Sequence, residues 1–292
     1  MKKILATLSA VAVAAAGALT FSACGSAEVM YSLSEDGTYY ILSGVSGNTS
    51  ALKSYEIPSV YDDGEHGQLP VTQITDEAFM GCSLGQIVIP DSITHIGDRA
   101  FAYTYLIRLE IPESVTYIGY AAFAFSSSLQ EVTIPSSITQ LGPYAFAYCS
   151  SLESAVVNAN IDTLYVGTFQ GIVANDVSGL YTNTKLTSIS LPATLKYLHR
   201  DSISGNFLTD IHFAGTADEW EDVQVFYAEE RVVEDDEAEE GEEPETEVVT
   251  VYLDEEQTIE YFTVEGLTIH CTDYDLVYSA GQIIRTPASQ VE

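Results

Sequence analysis

A set of landmarks recurs in one register along this chain, and it leaves few folds open. Phe79, Phe101, Phe123, Phe146 and Phe169 follow at steps of 22, 22, 23 and 23 residues, the first four each preceded by alanine. Leu84, Leu106, Leu129 and Leu152 keep steps of 22, 23 and 23, and Ile-Pro dipeptides end at Pro90, Pro112 and Pro135. Ile96-Gly97, Ile118-Gly119 and Leu141-Gly142 repeat in the same register. A period of about 20–50 residues signals stacked coils, because one such unit cannot bury its own apolar face.

Each coil can be read physically. Leu109-Glu110-Ile111 and Val132-Thr133-Ile134 alternate apolar and polar, the pattern of a half-buried strand. The proline that follows closes the strand, since it has no N–H for a ladder. A second extended piece, such as Ile93-Thr94-His95-Ile96, precedes the glycine, and the Ala-Phe pair reads as a short helical turn that sends the ring inward. Stacking buries each large side chain for about 1.5–3 kcal/mol, so the array is expected to fold as a unit. After Phe169 the step lengthens: Leu152 to Leu186 is 34 residues, and the excess falls in 170–185, rich in Gly, Asn, Ser and Thr, a loop pushed out of one coil. Ile189-Ser190-Leu191-Pro192 and Leu198 restore the register. The coil ending Asp210-Ile211-His212-Phe213 is degenerate, as terminal repeats are.

These residues resemble the BspA-like leucine-rich repeat family, with Pro112-Glu113-Ser114-Val115-Thr116-Tyr117-Ile118-Gly119-Tyr120-Ala121-Ala122-Phe123 following its unit residue for residue. The resemblance covers about residues 52–222. It implies a bacterial surface protein of a kind engaged in adhesion, and it carries no set of catalytic residues. The fold class expected is mainly β: a leucine-rich-repeat-like solenoid of about six 22–23-residue coils with short helical turns. An N-terminal β-hairpin cap and a small C-terminal β cap complete it.

The ends follow from local signals. Two β-prone runs flank Asp36-Gly37, a hairpin signal, so residues 24–51 read as a tether and a hairpin covering the first coil. Thr216 and Glu219 form a capping box before Trp220. This predicts a short helix whose Trp packs on the last coil, as in the Gly-Thr-x-x-x-Trp element of the similar family. Glu229 to Glu247 holds twelve acidic residues and one arginine, so 223–247 is expected to stay solvated and disordered. Residues 248–292 read as a β cap, in which Cys271-Thr272-Asp273-Tyr274-Asp275 is similar to a Cys-Thr-Asp-Gly-Asp element near the ends of these proteins.

Export is written at the start. Met1-Lys2-Lys3 followed by an apolar run to Phe21 is the layout of a secretory signal. Phe21-Ser22-Ala23-Cys24 resembles a lipobox, with Phe21 where leucine is usual. Residues 1–23 are therefore expected to be cleaved and Cys24 to carry the lipid, the only link to the membrane. The chain has 43 Asp and Glu against 10 Lys and Arg, a net charge of −33 that repels nucleic acid and anionic lipid. Cys82, Cys149 and Cys271 have neither disulfide nor zinc spacing. Cys82 and Cys149 occupy one repeat position three coils apart, roughly 14 Å at strand spacing, too far to bridge.

No nucleophile elbow, zinc motif or phosphate loop occurs, and no catalytic residue, metal or cofactor is expected. The expected activity is recognition of an extracellular protein or glycan by a monomer at the bacterial surface. Along the first strand of each coil two outward columns form. One runs through Gln86, Arg108, Glu131, Ser154, Ser188 and Asp210, the other through Val88, Glu110, Thr133, Val156, Ser190 and His212. Solenoids bind on such faces, which makes Arg108, Glu110, Glu131, Thr133, Ser190 and His212 candidate ligand residues. Tyr103, Phe125 and Tyr148, two residues after successive Phe landmarks, form a second candidate, either a platform for glycan or peptide or packing along the ridge. The competing readings are a structural spacer of the envelope and a glycan-capture lipoprotein serving polysaccharide uptake.

Overall fold

The computed structural model describes residues 3–5, 26–171, 185–232, 246–262, 264, 266–279 and 282–288. Cys24, the body of the 170–185 insertion and the acidic stretch 233–245 lie outside the described residues. Among the described residues no helix is long and apolar enough to cross a membrane.

The coils stack through two parallel ladders. In the first, Glu131–Ile134, Ser154–Val157, Ser188–Leu191, Asp210–Phe213 and Thr268–His270 pair in register, so that Val132, Ala155, Ile189, Ile211 and Ile269 line up inward. All five are buried, at 3% exposure or less. In the second ladder Gln68–Ile74, His95–Ile96, Tyr117–Ile118 and Gln140–Leu141 pair in parallel. The spacing of 22–23 residues is what brings equal side chains face to face across successive coils.

The core is a stack of rings. Phe79, Phe101, Phe123, Phe146 and Phe169 are all fully buried. Their centroids lie 5.1, 5.2, 5.1 and 5.6 Å apart, with interplanar angles of 11° or less. The Ala-Phe turns are single turns rather than longer helices. Alternate N–H groups bond within the turn, as Ala102 to the Arg99 carbonyl (3.0 Å), or across to the next coil, as Phe101 to the Ala122 carbonyl (2.7 Å). Three residues beyond each Phe, Cys82, Thr104, Ser126 and Cys149 form a buried column. Thr104 Oγ1 donates to the Phe101 carbonyl and lies 3.1 Å from Ser126 Oγ. Both cysteines are free, and burial pushes their thiols up to about 11 and about 12.

Glycine marks where coils approach most closely. A Cβ on Gly142 would sit 2.5 Å from the Gly119 carbonyl carbon and 2.7 Å from the Tyr120 nitrogen. Next to this column an aspartate ladder operates: Asp98 N–H donates to Asp76 and Tyr120 N–H to Asp98, each at 2.8 Å. One coil on, Tyr120 offers no carboxylate, and Pro143 has no N–H that requires one.

The caps differ in part from expectation. Ala27–Leu33 and Tyr40–Gly47 form the N-terminal hairpin, and the latter pairs in parallel with Gln68–Ile74. Lys3–Leu5, inside the expected signal segment, pairs with Ala27–Leu33. The helix Ala217–Glu221 has its capping box, and Trp220 is 1% exposed against Phe213 and Phe262. That burial assigns the ring to the core.

Two expectations need correction. The stretch 223–247 is not wholly a solvated tract: Gln224–Val232 pairs in parallel with Tyr197–His199 and then antiparallel with Thr246–Tyr252. The stack also runs past residue 222. Thr268–His270 completes a further coil on Asp210–Phe213, so the acidic run is an insertion within a coil. The pairing wins because Val225 fills an inward position, fully buried beside Leu198. The tail then locks the helix: Asp273 Oδ1 accepts from Ala217 N–H at 2.7 Å, and Arg285 contacts both Asp218 and Glu221.

Candidate functional site

The strand face is the first candidate. Glu131, Ser154, Ser188, Asp210 and Thr268 are directly in register, as are Thr133, Val156, Ser190, His212 and His270. The ladder does not extend unbroken to Arg108 and Glu110, because Leu109-Glu110-Ile111 forms no strand despite its alternation. This break falls where the Leu step changes from 22 to 23 residues. It opens a hollow of about 320 Å³ that gathers Arg108, Glu110, Glu131 and Thr133. Ser190 and His212 line a separate hollow of about 360 Å³ farther along the face. The candidates therefore fall into two groups rather than one continuous site.

The aromatic ladder is the second candidate. Tyr103 and Phe125 stack at 4.5 Å and 6°, and Phe125 meets Tyr148 at 4.7 Å and 35°. Phe125, Tyr144 and Tyr148 also pack over Ala121, Ala124 and Ala147, a small apolar cluster outside the Phe stack. All three ladder residues have left-handed backbones, with φ of 58°, 59° and 59°. Gly81 and Gly205 occupy the same position in other coils at φ 69° and 73°. Left-handed geometry is a strained choice for a bulky side chain, costing about 1–3 kcal/mol at each residue.

A third site was not anticipated from sequence. In the column Gly97, Gly119, Gly142, the next member is Tyr165. With no room for a Cβ against the preceding coil, the second ladder separates there. Gln140–Leu141 ends one sheet, and Thr163–Leu164 begins another that continues through Tyr197–His199. A groove of about 730 Å³ opens at the split, lined by Tyr117, Gln140, Asn160, Asp162, Tyr165 and Lys196 among others. The signal was present in the sequence: Leu164 and Phe169 keep the register while Tyr165 stands at the column's glycine position.

Comparison with known proteins finds a family match for part of the chain. Residues 72–180 match the profile of the BspA type leucine rich repeat region in six copies. These are BspA-type repeats. The array is similar to a T. pallidum leucine rich repeat protein, at 28% identity over 63% of this chain and 82% of that one, with a TM-score of 0.49. It is also similar to a leucine-rich repeat protein from Bacteroides ovatus, at 26% identity over 64% and 54% of the two chains (TM-score 0.44). A third such protein, from Bacteroides capillosus, is 29% identical over 44% and 93% (TM-score 0.38). No curated protein matches the chain.

Near the C-terminal end of the stack the strand face gains a charged cluster. His270 Nε2 lies 3.0 Å from Asp210 Oδ1 and Nδ1 lies 2.9 Å from Asp275 Oδ1, while the ring stacks on His212 at 4.8 Å. Burial works against the charged imidazolium, but the hydrogen bonds and charges of Asp210 and Asp275 outweigh it and hold His270 above its ordinary value. Hydrogen bonds from Thr209 and His270 hold the Asp210 carboxyl low. A raised folded pKa means that His270 adds stability fully below its unfolded value, about 6.5. That contribution is lost as pH rises through the folded value. The His270 contribution accordingly lowers the urea midpoint between pH 5.5 and pH 8.5, while His95 and His199, held low by burial, act in the opposite sense. His270→Gln should remove that lowering, and an unchanged slope in the variant would count against the assignment.

Near the N-terminal end of the stack, Asp63, Glu65 and His66 place ligand-type atoms within 4.8 Å of one another in a loop. Bonds within the loop account for this arrangement. The backbone N–H groups of His66 and Glu65 donate to Asp63 and hold its carboxyl well below the usual range.

Proposed function

We propose that the chain is exported by residues 1–23, anchored through Cys24 and displayed at the bacterial surface, where its array binds an extracellular protein or glycan without catalysis. The observation that carries this reading is the strand face. From Glu131 to His270 every inward partner is buried, while the outward columns present carboxylate, hydroxyl, apolar and imidazole groups at fixed spacing. Such a surface is costly to hold rigid and suits recognition by shape and polar complementarity. The two hollows around Arg108 to Thr133 and Ser190 to His212 give a partner places to anchor.

The test is binding of the purified chain to immobilised matrix proteins and glycans at two salt concentrations. Saturable binding is expected, weakened at least tenfold by Arg108→Glu with Glu131→Lys if the first hollow is the anchor. A folded protein that binds nothing across the panels would leave the envelope-spacer reading standing. Loss of envelope integrity on deletion, with adhesion intact, would point the same way.

A second reading has an observation of its own. Tyr103, half exposed, stacks with the half-buried Phe125 and Phe125 with Tyr148, so the ladder presents ring surface along the ridge at one repeat position. Tyr103→Ala with Tyr148→Ala should abolish glycan binding if that ladder is the contact surface.

A further inference from the structure

We infer that the groove at the split between Gln140–Leu141 and Thr163–Leu164 is a binding site for the end of a neutral saccharide chain; this rests on the recognition reading above. The argument starts from backbone accounting. In regular coils the Thr116 and Ile118 carbonyls accept from Thr139 and Gly142 of the next coil, at 3.0 and 2.8 Å. One coil later, no backbone N–H among the described residues donates to the carbonyls of Thr139 or Leu141. The backbone of Thr139 and Leu141 thus lines the groove without the inter-coil bonds of the regular coils, beside Gln140, Asn160 and Asp162. A surface rich in acceptors suits a ligand rich in hydroxyl donors.

The rings set the class of ligand. Tyr117 stacks on His95 at 4.0 Å and 2°, which covers one face of its ring. The other face is on the side of Gln140, the coil that borders the groove. Tyr165, whose presence split the ladder, stands 47% exposed at the opposite wall. The exposed Tyr165 ring offers a stacking surface, and both phenols offer hydrogen bonding. Small-ligand sites typically span about 300–1,000 Å³, and the groove at about 730 Å³ lies well inside that range.

Charge and shape narrow it further. Among the described residues of the lining, Asp162 and Lys196 are the charged groups, one of each sign, within a chain of net charge −33. An anionic glycan gains nothing locally and is repelled at long range. An extended peptide would need a slot open at both ends. Here Asn160 N–H donates to the Ile138 carbonyl (3.2 Å) and Tyr144 N–H to the Val166 carbonyl (3.0 Å), which closes the split on either side.

The experiment titrates the purified full chain with maltotriose, cellotriose, mannotriose and triacetylchitotriose by calorimetry, at low and high salt. Saturable, salt-insensitive binding of at least one trisaccharide is expected. Tyr165→Ala and Gln140→Ala should each weaken it about tenfold or more, with far-ultraviolet spectra and urea midpoints showing that both variants fold. Tyr165→Gly restores the column glycine and should lose binding while keeping or raising stability. Saccharide binding that survives all three substitutions but disappears in Tyr103→Ala with Tyr148→Ala overturns the groove and leaves the recognition reading intact. Binding of a matrix protein with no trisaccharide bound does the same. No binding of any probe by folded protein overturns both.

Discussion

Phe123→Ala is expected to remove about 3–5 kcal/mol of stability, the usual cost of deleting a buried phenyl group. The ring is fully buried between Phe101 and Phe146, at 5.2 and 5.1 Å, so truncation leaves a void in the middle of the stack and breaks two stacked contacts at once. Neighbouring rings cannot move in to fill it, because each is held at its own level by the inter-coil bonds of its Ala-Phe turn, Phe123 N–H to the Ala145 carbonyl among them. Because each coil is held only by its neighbours, the loss should appear in unfolding of the whole array. Urea unfolding followed by circular dichroism would measure it. Phe123→Leu, which keeps much of the volume, should cost far less; equal effects would mean that the stack relaxes freely around the gap.

Gly142→Ala should also destabilise the array, although it adds only a single methyl group. Its Cβ would meet backbone atoms of Gly119 and Tyr120 at 2.5–2.7 Å, against about 3.5–4.0 Å for an ordinary carbon contact. No rotamer can relieve a clash with backbone, so the coil must step back. That step loses the Gly142 N–H bond to Ile118 and the pairing of Gln140 with Tyr117. Overpacking of this kind costs about 1–3 kcal/mol. Gly85→Ala is the control, since its nearest atoms would be 3.6 and 3.8 Å away, and it should change stability by no more than about 0.5 kcal/mol. Hydrogen exchange at the Gly142 amide would report the local step directly, and similar costs at Gly85 and Gly142 would sink the close-approach argument.

Much of this could be read from residue types and spacing. Phe at 22–23-residue steps gave the stack, alternation gave the inward and outward columns, Asp36-Gly37 gave the hairpin and Thr216 with Glu219 gave the capped helix. The misreadings share a cause. Leu109-Glu110-Ile111 alternates as well as Val132-Thr133-Ile134, yet only the second is a strand, because a strand needs a neighbour in register and alternation says nothing about the neighbour. The acidic stretch looked solvated throughout because its charge dominates composition. Val225, one apolar residue at an inward position, was enough to draw its first part into the ladder.

The candidate sites divide along the same line. The columns containing Glu131, Thr133, Ser190 and His212 are set by a period of two within strands and 22–23 or 34 between them, so the sequence alone determined which residues share a face. Which of those faces opens into a hollow was decided by the tertiary structure. His270 lies 60 residues from Asp210, and the two meet only because an inserted β ribbon returns the chain to the ladder. The groove at Tyr165 depends on how near one coil's backbone lies to the next, a distance no residue type encodes by itself. A repeat fixes the identity of each position; the fit between successive backbones, within a few tenths of an ångström, decides where the stack closes and where it stays open.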